Sequence, residues 1–249
     1  MSIKVKVLFI ALIGPVILAS ISFWQQSKEI KAGAIKGIEA QSKAIVLMAE
    51  ATRNEMAHKL ERGILKPFSE IEPSRVIEAV PVVTAMHTAA INAEKAGYTF
   101  RVPKVSPRNP DNTPTNEERE VLDRLKKEGL NELTVIKDNE IRYYKPIKLT
   151  QDCLFCHGSP RGEKDPTGGI KEGWKTGEIH GAFEIISSLD ETNAKIFKAR
   201  ASILIFTLAI LGATSIVAWL LLRTNVVKPL NQASGFINSI AQGDLTGKC

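Results

Sequence analysis

Charge is missing from two stretches of this 249-residue chain, 7–24 and 201–222, although Asp, Glu, Lys and Arg make up 24% of the whole. Cysteine is scarce too, with three residues, which excludes a disulfide-stapled scaffold. There is no internal repeat, so a solenoid or propeller is excluded. The formal charge of +6 is spread along the chain with no basic stripe interleaved with aromatics, which leaves a nucleic-acid partner without support.

What the chain does have is a polar middle between two apolar runs. About 20 apolar residues suffice to cross a hydrocarbon core, at about 1.5 Å of rise per residue. The run 201–222 meets that length, and 7–24 gains Val5 and can place Lys4 and Lys6 at the lipid surface. Both are expected to be transmembrane helices. A cleaved signal peptide is the alternative for the first, but no small-x-small cleavage pattern follows it, and Pro15 is tolerated in a membrane helix. Lys4 and Lys6 before the first run, and Arg223 and Lys228 after the second, place both ends in the cytoplasm. Lys195, Lys198 and Arg200 at the outer end of the second run weaken that asymmetry. The expected organisation is a cytoplasmic N-terminus (1–6), a first span (7–24), a periplasmic domain (25–200), a second span (201–222) and a cytoplasmic tail (223–249), in a bacterial inner membrane.

Within the outer region, 25–66 reads as one long helix continuing from the membrane. Pro67, Pro73 and Pro81 then break the chain, and Ser74 is placed to cap a helix from about Arg75. A helix is predicted over 82–96, ended by Gly97, then a strand over Tyr98–Val102. Residues 103–116 form a loop rich in Pro, Asn and Asp. Thr115 is positioned to N-cap a helix running to about Glu128, with Glu117 and Glu118 in its first turn. The pattern then predicts a hairpin, Leu133–Lys137 and Glu140–Lys148 joined through Asp138-Asn139. A glycine-rich loop occupies 150–177, a last strand Ile179–Ser187, and a helix from Leu189 feeds the second apolar run. Antiparallel strands with flanking helices give an α+β domain.

The glycine-rich loop holds Cys153-Leu154-Phe155-Cys156-His157, the attachment pattern of haem c. Two thiols add to the two vinyl groups on one porphyrin edge, which sets the two-residue gap. The next residue, His157, then lies under the ring plane where its imidazole can bind iron. Haem c is attached outside the cytoplasm, which agrees with the topology drawn from the charges. A redox dithiol usually opens a helix after a strand, whereas this pair follows a hairpin. Zinc would need a fourth ligand such as His180, and the adjacent Cys156 and His157 make a poor tetrahedral pair. Cys249 ends the chain as a free thiol.

One histidine leaves the far side of the iron open. Met48, Met56, His58, Met86, His87 and His180 are the candidates. Met56 is favoured because it shares an apolar stripe with Ile45, Ala49 and Leu60, and Met86 is second; an open site that binds a gas is the other possibility. Arg53, Arg101, Arg108 and Arg142 are candidates to pair with the haem propionates, and Tyr144 is a further candidate contact. No acid–base pair or nucleophile stands out near the motif, so no enzymatic role is expected.

The stretches RVPKVSPRNPDN, RYYKPIKLTQDCLFCHGSP and GWKTGEIHGAFEI resemble the periplasmic single-haem sensor domains of bacterial chemoreceptors and sensor kinases. The most specific parts are Arg108-Asn109-Pro110 with Asn112, the CLFCHG run, and Gly177 followed by Gly181. The resemblance implies a PAS-like antiparallel sheet with long flanking helices between two transmembrane helices, one covalent haem c seated against the sheet, and His157 as ligand. The tail from Val226-Val227-Lys228-Pro229-Leu230 to Gly243-Asp244-Leu245 resembles the first half of a HAMP linker. That implies a homodimer that signals to cytoplasmic partners through an output domain absent from this sequence. The expected function is therefore a transmembrane haem c sensor of redox state or a small gas, with a membrane-anchored electron-transfer cytochrome as the alternative.

Overall fold

The computed structural model describes residues 3–242, and the chain divides into two compact units, one of residues 33–192 and one built from the two ends. The first helix, α1, runs Ile3–Glu61. It stops short of the expected residue 66 because Gly63 adopts the left-handed conformation, φ 66°, which glycine tolerates without steric cost. Ser74 does not cap a helix. Its hydroxyl donates to Glu72 Oε1 at 2.8 Å, and Val76–Ala79 forms only a short 3₁₀ turn.

Helix α2, Pro81–Ala90, opens with proline at its first position, where no backbone N–H is needed. The single helix expected over 82–96 is interrupted. Asn92 sits at φ −115°, ψ 10°, and α3 is the separate turn Ala93–Ala96, closed by Gly97 at φ 72°. Asparagine's side chain competes for nearby backbone groups and favours such breaks.

Strand β1 is Tyr98–Arg101, and α4 is Asn116–Lys127. Thr115 caps α4 reciprocally: the Glu118 N–H donates to Thr115 Oγ1 at 3.2 Å, and the Thr115 N–H donates to Glu118 Oε2 at 2.6 Å. The hairpin lies where the sequence places it, β2 being Leu133–Lys137 and β3 Glu140–Lys148. Asp138 and Asn139 both take positive φ, 49° and 66°, the conformation a two-residue turn needs to match strand twist. After the short helix α5, Leu154–His157, strand β4 covers Ile179–Ser188.

The four strands form one antiparallel sheet in the order β1-β4-β3-β2. Alternation along the central strands divides the core in two. Tyr143, Phe183 and Ile185 pack with Val46 of α1 and Val102, while Tyr144 and Ala182 pack with Val121, Leu122 and Leu125 of α4. The domain is α+β, as the sequence pattern implied.

In the other unit, α6 spans Asp190–Leu222 and is followed by a π-helical turn, Arg223–Val227, and α7, Lys228–Ala241. Arg200 Nη2 donates to the Ser27 carbonyl at 3.2 Å. Among the described residues, Asp190–Ser239 is the one helical stretch long and apolar enough to cross a membrane by length and composition. The motif Gly243-Asp244-Leu245 and Cys249 lie outside the described residues, as do residues 1–2 and the side chains of 7–12 in the first apolar run.

Candidate functional site

A cavity of about 820 Å³ opens in the 33–192 unit. That is within the ordinary range for a site holding a sizeable organic group. Leu60 of α1, Val83 and Met86 of α2, and Val102, Ile147 and Leu149 give it apolar walls.

Cys153, Cys156 and His157 all line this cavity. Local backbone explains why. Gln151–Cys153 forms a 3₁₀ turn that runs straight into α5, so Cys153 lies one helical turn from both Cys156 and His157. Residues three and four apart on a helical turn share a side. Gly158 ends the turn, and no other residue fits there, since a Cβ would lie 2.5 Å from the Leu154 carbonyl oxygen.

Both thiols are free and half-buried. Burial pushes the Cys156 thiol up to about 11, with Asp165 adding to the effect. A redox dithiol needs the opposite, a thiolate stabilised at neutral pH. A zinc site is equally disfavoured. The Trp174 ring stacks between His157 and His180, with centroid distances of 4.8 Å and 4.0 Å. Among the described residues no cluster of three or more His, Cys, Asp or Glu is placed to hold a metal.

His157 Nδ1 lies 2.7 Å from Glu172 Oε2. An ionised carboxylate only accepts, so Nδ1 carries the hydrogen and Nε2 is the nitrogen with a free lone pair, the form that ligates a metal. Burial pulls the His157 pKa down despite Glu172, which keeps the ring neutral. The residues present therefore fit a haem c: two thiols and a neutral, oriented imidazole on one wall of an apolar cavity.

Arg108 also lines the cavity. Its guanidinium is already engaged on every side. Nε donates to Glu172 Oε1 at 2.9 Å and Nη1 to Asp165 Oδ2 at 2.5 Å. Nη2 donates to Glu172 Oε2 at 3.0 Å and to the carbonyls of Cys156 and Ile170 at 2.9 and 3.0 Å. Arg108 thus fastens the 158–173 loop to the attachment turn. Glu172 and Asp165 both have pKa values held below the usual carboxylate range: burial opposes this, but the hydrogen bonds to Arg108, and to His157 and Thr167 respectively, outweigh it.

Of the other predicted residues, Arg53 lines the cavity, and its described hydrogen-bond partner is the side-chain oxygen of the exposed Asn54, at 3.2 Å and 3.4 Å. Met56 is not among the lining residues. On α1 the cavity face carries Arg53, Asn54, Ala57, Leu60 and Glu61, and Met56 falls to one side of it. Met86 and His180 do line the cavity, but His180 is held by the Trp174 stack and by Glu178 at 2.9 Å. His58 and His87 are exposed, and Met48 is 68% exposed.

Arg101, Arg142 and Tyr144 belong to a different place, the α4 face of the sheet. Arg101 Nε donates to Glu118 Oε1 at 3.1 Å, and Arg142 Nη1 donates to Glu184 Oε1 at 3.2 Å. Tyr144 is buried in the α4 core. Strand alternation turns it away from the cavity. The two carboxyls beneath these arginines are themselves buried, and burial together with Glu118 pushes Glu184 up to about 7. A carboxyl raised from the usual 4.5 binds its proton more tightly when folded, so stability is lost as pH rises from about 4.5 to 7. In urea titrations across that window, Glu184→Gln is expected to remove this loss, on the order of 3 kcal/mol. A wild-type-minus-variant difference that stays flat with pH would refute it.

Sequence reasoning missed Glu172, Asp165, Lys104 and Trp174. Lys104 Nζ lies 4.6 Å over the Trp174 ring. A tryptophan within an otherwise polar, glycine-rich loop was the available signal, because so large an apolar surface is seldom left in a loop without a partner.

Residues 28–188 match the Tll0287-like family (Tll0287). The chain belongs to that family. A solved structure, the cyanobacterial heme-protein Tll0287, is similar at 19% identity with a TM-score of 0.46, over 60% of this chain and 93% of that one. No curated protein matches. The Tll0287-like segment contains the whole sheet, the cavity and the attachment turn.

Proposed function

We propose that the chain carries one covalent haem c, attached through Cys153 and Cys156 with His157 on the iron, and acts as a membrane-anchored haem sensor. The observation that carries the haem reading is the placement of both thiols and the Glu172-oriented imidazole on one helical turn facing one apolar cavity. The description of the family's namesake as a heme-protein supports it. Bound haem supplies an iron whose oxidation state or ligand can change.

The chain's own residues do the rest. Leu60, Val83, Val102, Ile147 and Leu149 exclude water, and Arg53 is free of acidic partners among the described residues and so suited to a propionate. Met86 is the lining thioether and, in place of Met56, would supply the second protein ligand to the iron. Sensing rests on chain continuity: His180 and Gly181 of β4 line the cavity, β4 ends at Ser188, and the apolar α6 begins at Asp190. The reading includes two spans, a periplasmic domain, a homodimer and cytoplasmic partners, and no enzymatic activity.

The deciding experiment is an absorption spectrum of the full chain made with a cytochrome c maturation system, oxidised and then reduced, with and without CO. A Soret band and a reduced spectrum unchanged by CO are expected; a chain without haem would overturn the proposal. Met86→Leu is expected to open the iron to CO, while Met56→Leu leaves the spectrum as it was. The reverse result would restore Met56.

Electron transfer is the second reading, favoured by the His157–Trp174–His180 stack, which extends the ligand's π system along the cavity wall. A spin label at Val226 separates the two. A signal that changes with haem oxidation state supports sensing, and an unchanged one with fast exchange to a soluble cytochrome supports electron transfer.

A further inference from the structure

Glu172 serves two donors at once. Its Oε2 accepts from His157 Nδ1 at 2.7 Å and from Arg108 Nη2 at 3.0 Å, while Oε1 takes Arg108 Nε at 2.9 Å. These contacts pull in opposite directions. A carboxylate on the outer nitrogen of a ligating imidazole makes the other nitrogen a stronger electron donor, which favours the oxidised metal. A guanidinium gripping that carboxylate with both arms withdraws charge from it, and the planar fork makes the grip bidentate. Arg108 is well placed to do this, with a side chain only 31% exposed and its remaining donors tied to Asp165 and the Cys156 and Ile170 carbonyls.

We propose that Arg108 is a positioning residue that raises the reduction potential of the haem by sharing Glu172 with His157. This rests on the haem reading above. Arg108 acts on the ligand through Glu172 and does not itself touch the iron. The rival explanation is a merely structural one, in which Arg108 and Glu172 only hold the 158–173 loop.

Redox titration of the haem-loaded full chain distinguishes them by sign. If both residues only hold the loop, removing either loosens it and the potential moves the same way. If Arg108 tempers Glu172, Glu172→Gln raises the potential and Arg108→Gln lowers it. Each shift is expected to change the ferric-to-ferrous ratio at fixed potential by about tenfold, or about 59 mV for one electron. Arg108→Gln/Glu172→Gln is expected to lie close to Glu172→Gln alone, because only the bare charge of Arg108, which lines the cavity, then reaches the iron; additive shifts would mean that this charge acts through space and not through Glu172. Arg108→Lys keeps the charge and loses the fork, and it is expected to fall between wild type and Arg108→Gln; it serves as the test if Arg108→Gln does not accumulate. Shifts of the same sign, additive shifts, or an unshifted potential in Arg108→Gln or Arg108→Lys would overturn the role of Arg108 while leaving the haem in place. A wild-type chain with no haem stain after denaturation would remove the haem reading and this role together.

Discussion

The Cys153→Ala/Cys156→Ala chain is expected to show no haem stain on a denaturing gel, against full staining of the wild type. The loss should be complete because thioether bonds are the one attachment that survives unfolding. In native protein the outcome differs. The apolar cavity and the Glu172-oriented His157 are still there, so added haem is expected to bind reversibly and give a Soret band that denaturation removes. His157→Ala gives the opposite pattern, haem that is retained on the gel with an altered native spectrum. Each single cysteine variant keeps one thioether and so keeps stain. The contrast tests the division of labour read from the attachment turn, thiols for capture and imidazole for the iron. Stain that survives in the double variant would sink it.

Much of the domain was legible because its local signals agree with its tertiary contacts. The hairpin is the clearest case. Period-two alternation in Leu133–Lys137 and Glu140–Lys148 and the Asp138-Asn139 pair both point to the same turn, and the sheet forms on it. The Thr115–Glu118 capping box was half legible: Thr115 was placed as the cap, while the reciprocal bond from the Thr115 N–H to the Glu118 carboxylate needed the structure. Cys153, Cys156 and His157 were readable because their spacing is itself the chemistry. The long-range partners were not. Arg108 reaches Glu172 across a separation of 64 residues, and nothing in a one-dimensional pattern tells that bond from a propionate contact. Met56 lies off the cavity for a subtler reason. An apolar stripe says that a residue is on the core side of a helix, and the cavity begins on the neighbouring face, at Arg53, Asn54 and Ala57. Tyr143 and Tyr144 show the same limit on a strand. Alternation says they face opposite ways, but only the packing of α1 on one side and α4 on the other says which core each enters.

Phe183→Ala is expected to cost about 3–5 kcal/mol, the usual range for emptying a fully buried aromatic site. Phe183 is 0% exposed at the centre of β4. It packs with Val46, Val102, Tyr143 and Ile185, and its ring lies 5.7 Å from that of Phe100. The cluster joins α1 to three strands, so no single element can move in to fill the space. Against a typical total stability of about 5–15 kcal/mol, that is about a fifth or more of what holds the domain together. The unfolding midpoint is expected to fall by on the order of 10 °C. Ile136→Ala is the control: that side chain is 52% exposed on the edge strand β2, and its loss is expected to cost about 0.5 kcal/mol or less. The site should register the damage as well. Gly181, two residues before Phe183, lines the cavity and is pressed against the Pro103 carbonyl so closely that a Cβ would lie 2.9 Å from its oxygen. Slackening β4 at Phe183 therefore loosens the wall that carries Gly181 and His180. The variant should show broadened haem absorption at temperatures where the wild type is still sharp. A Phe183→Ala chain that melts with the wild type would mean that the sheet is held mainly from its α4 side.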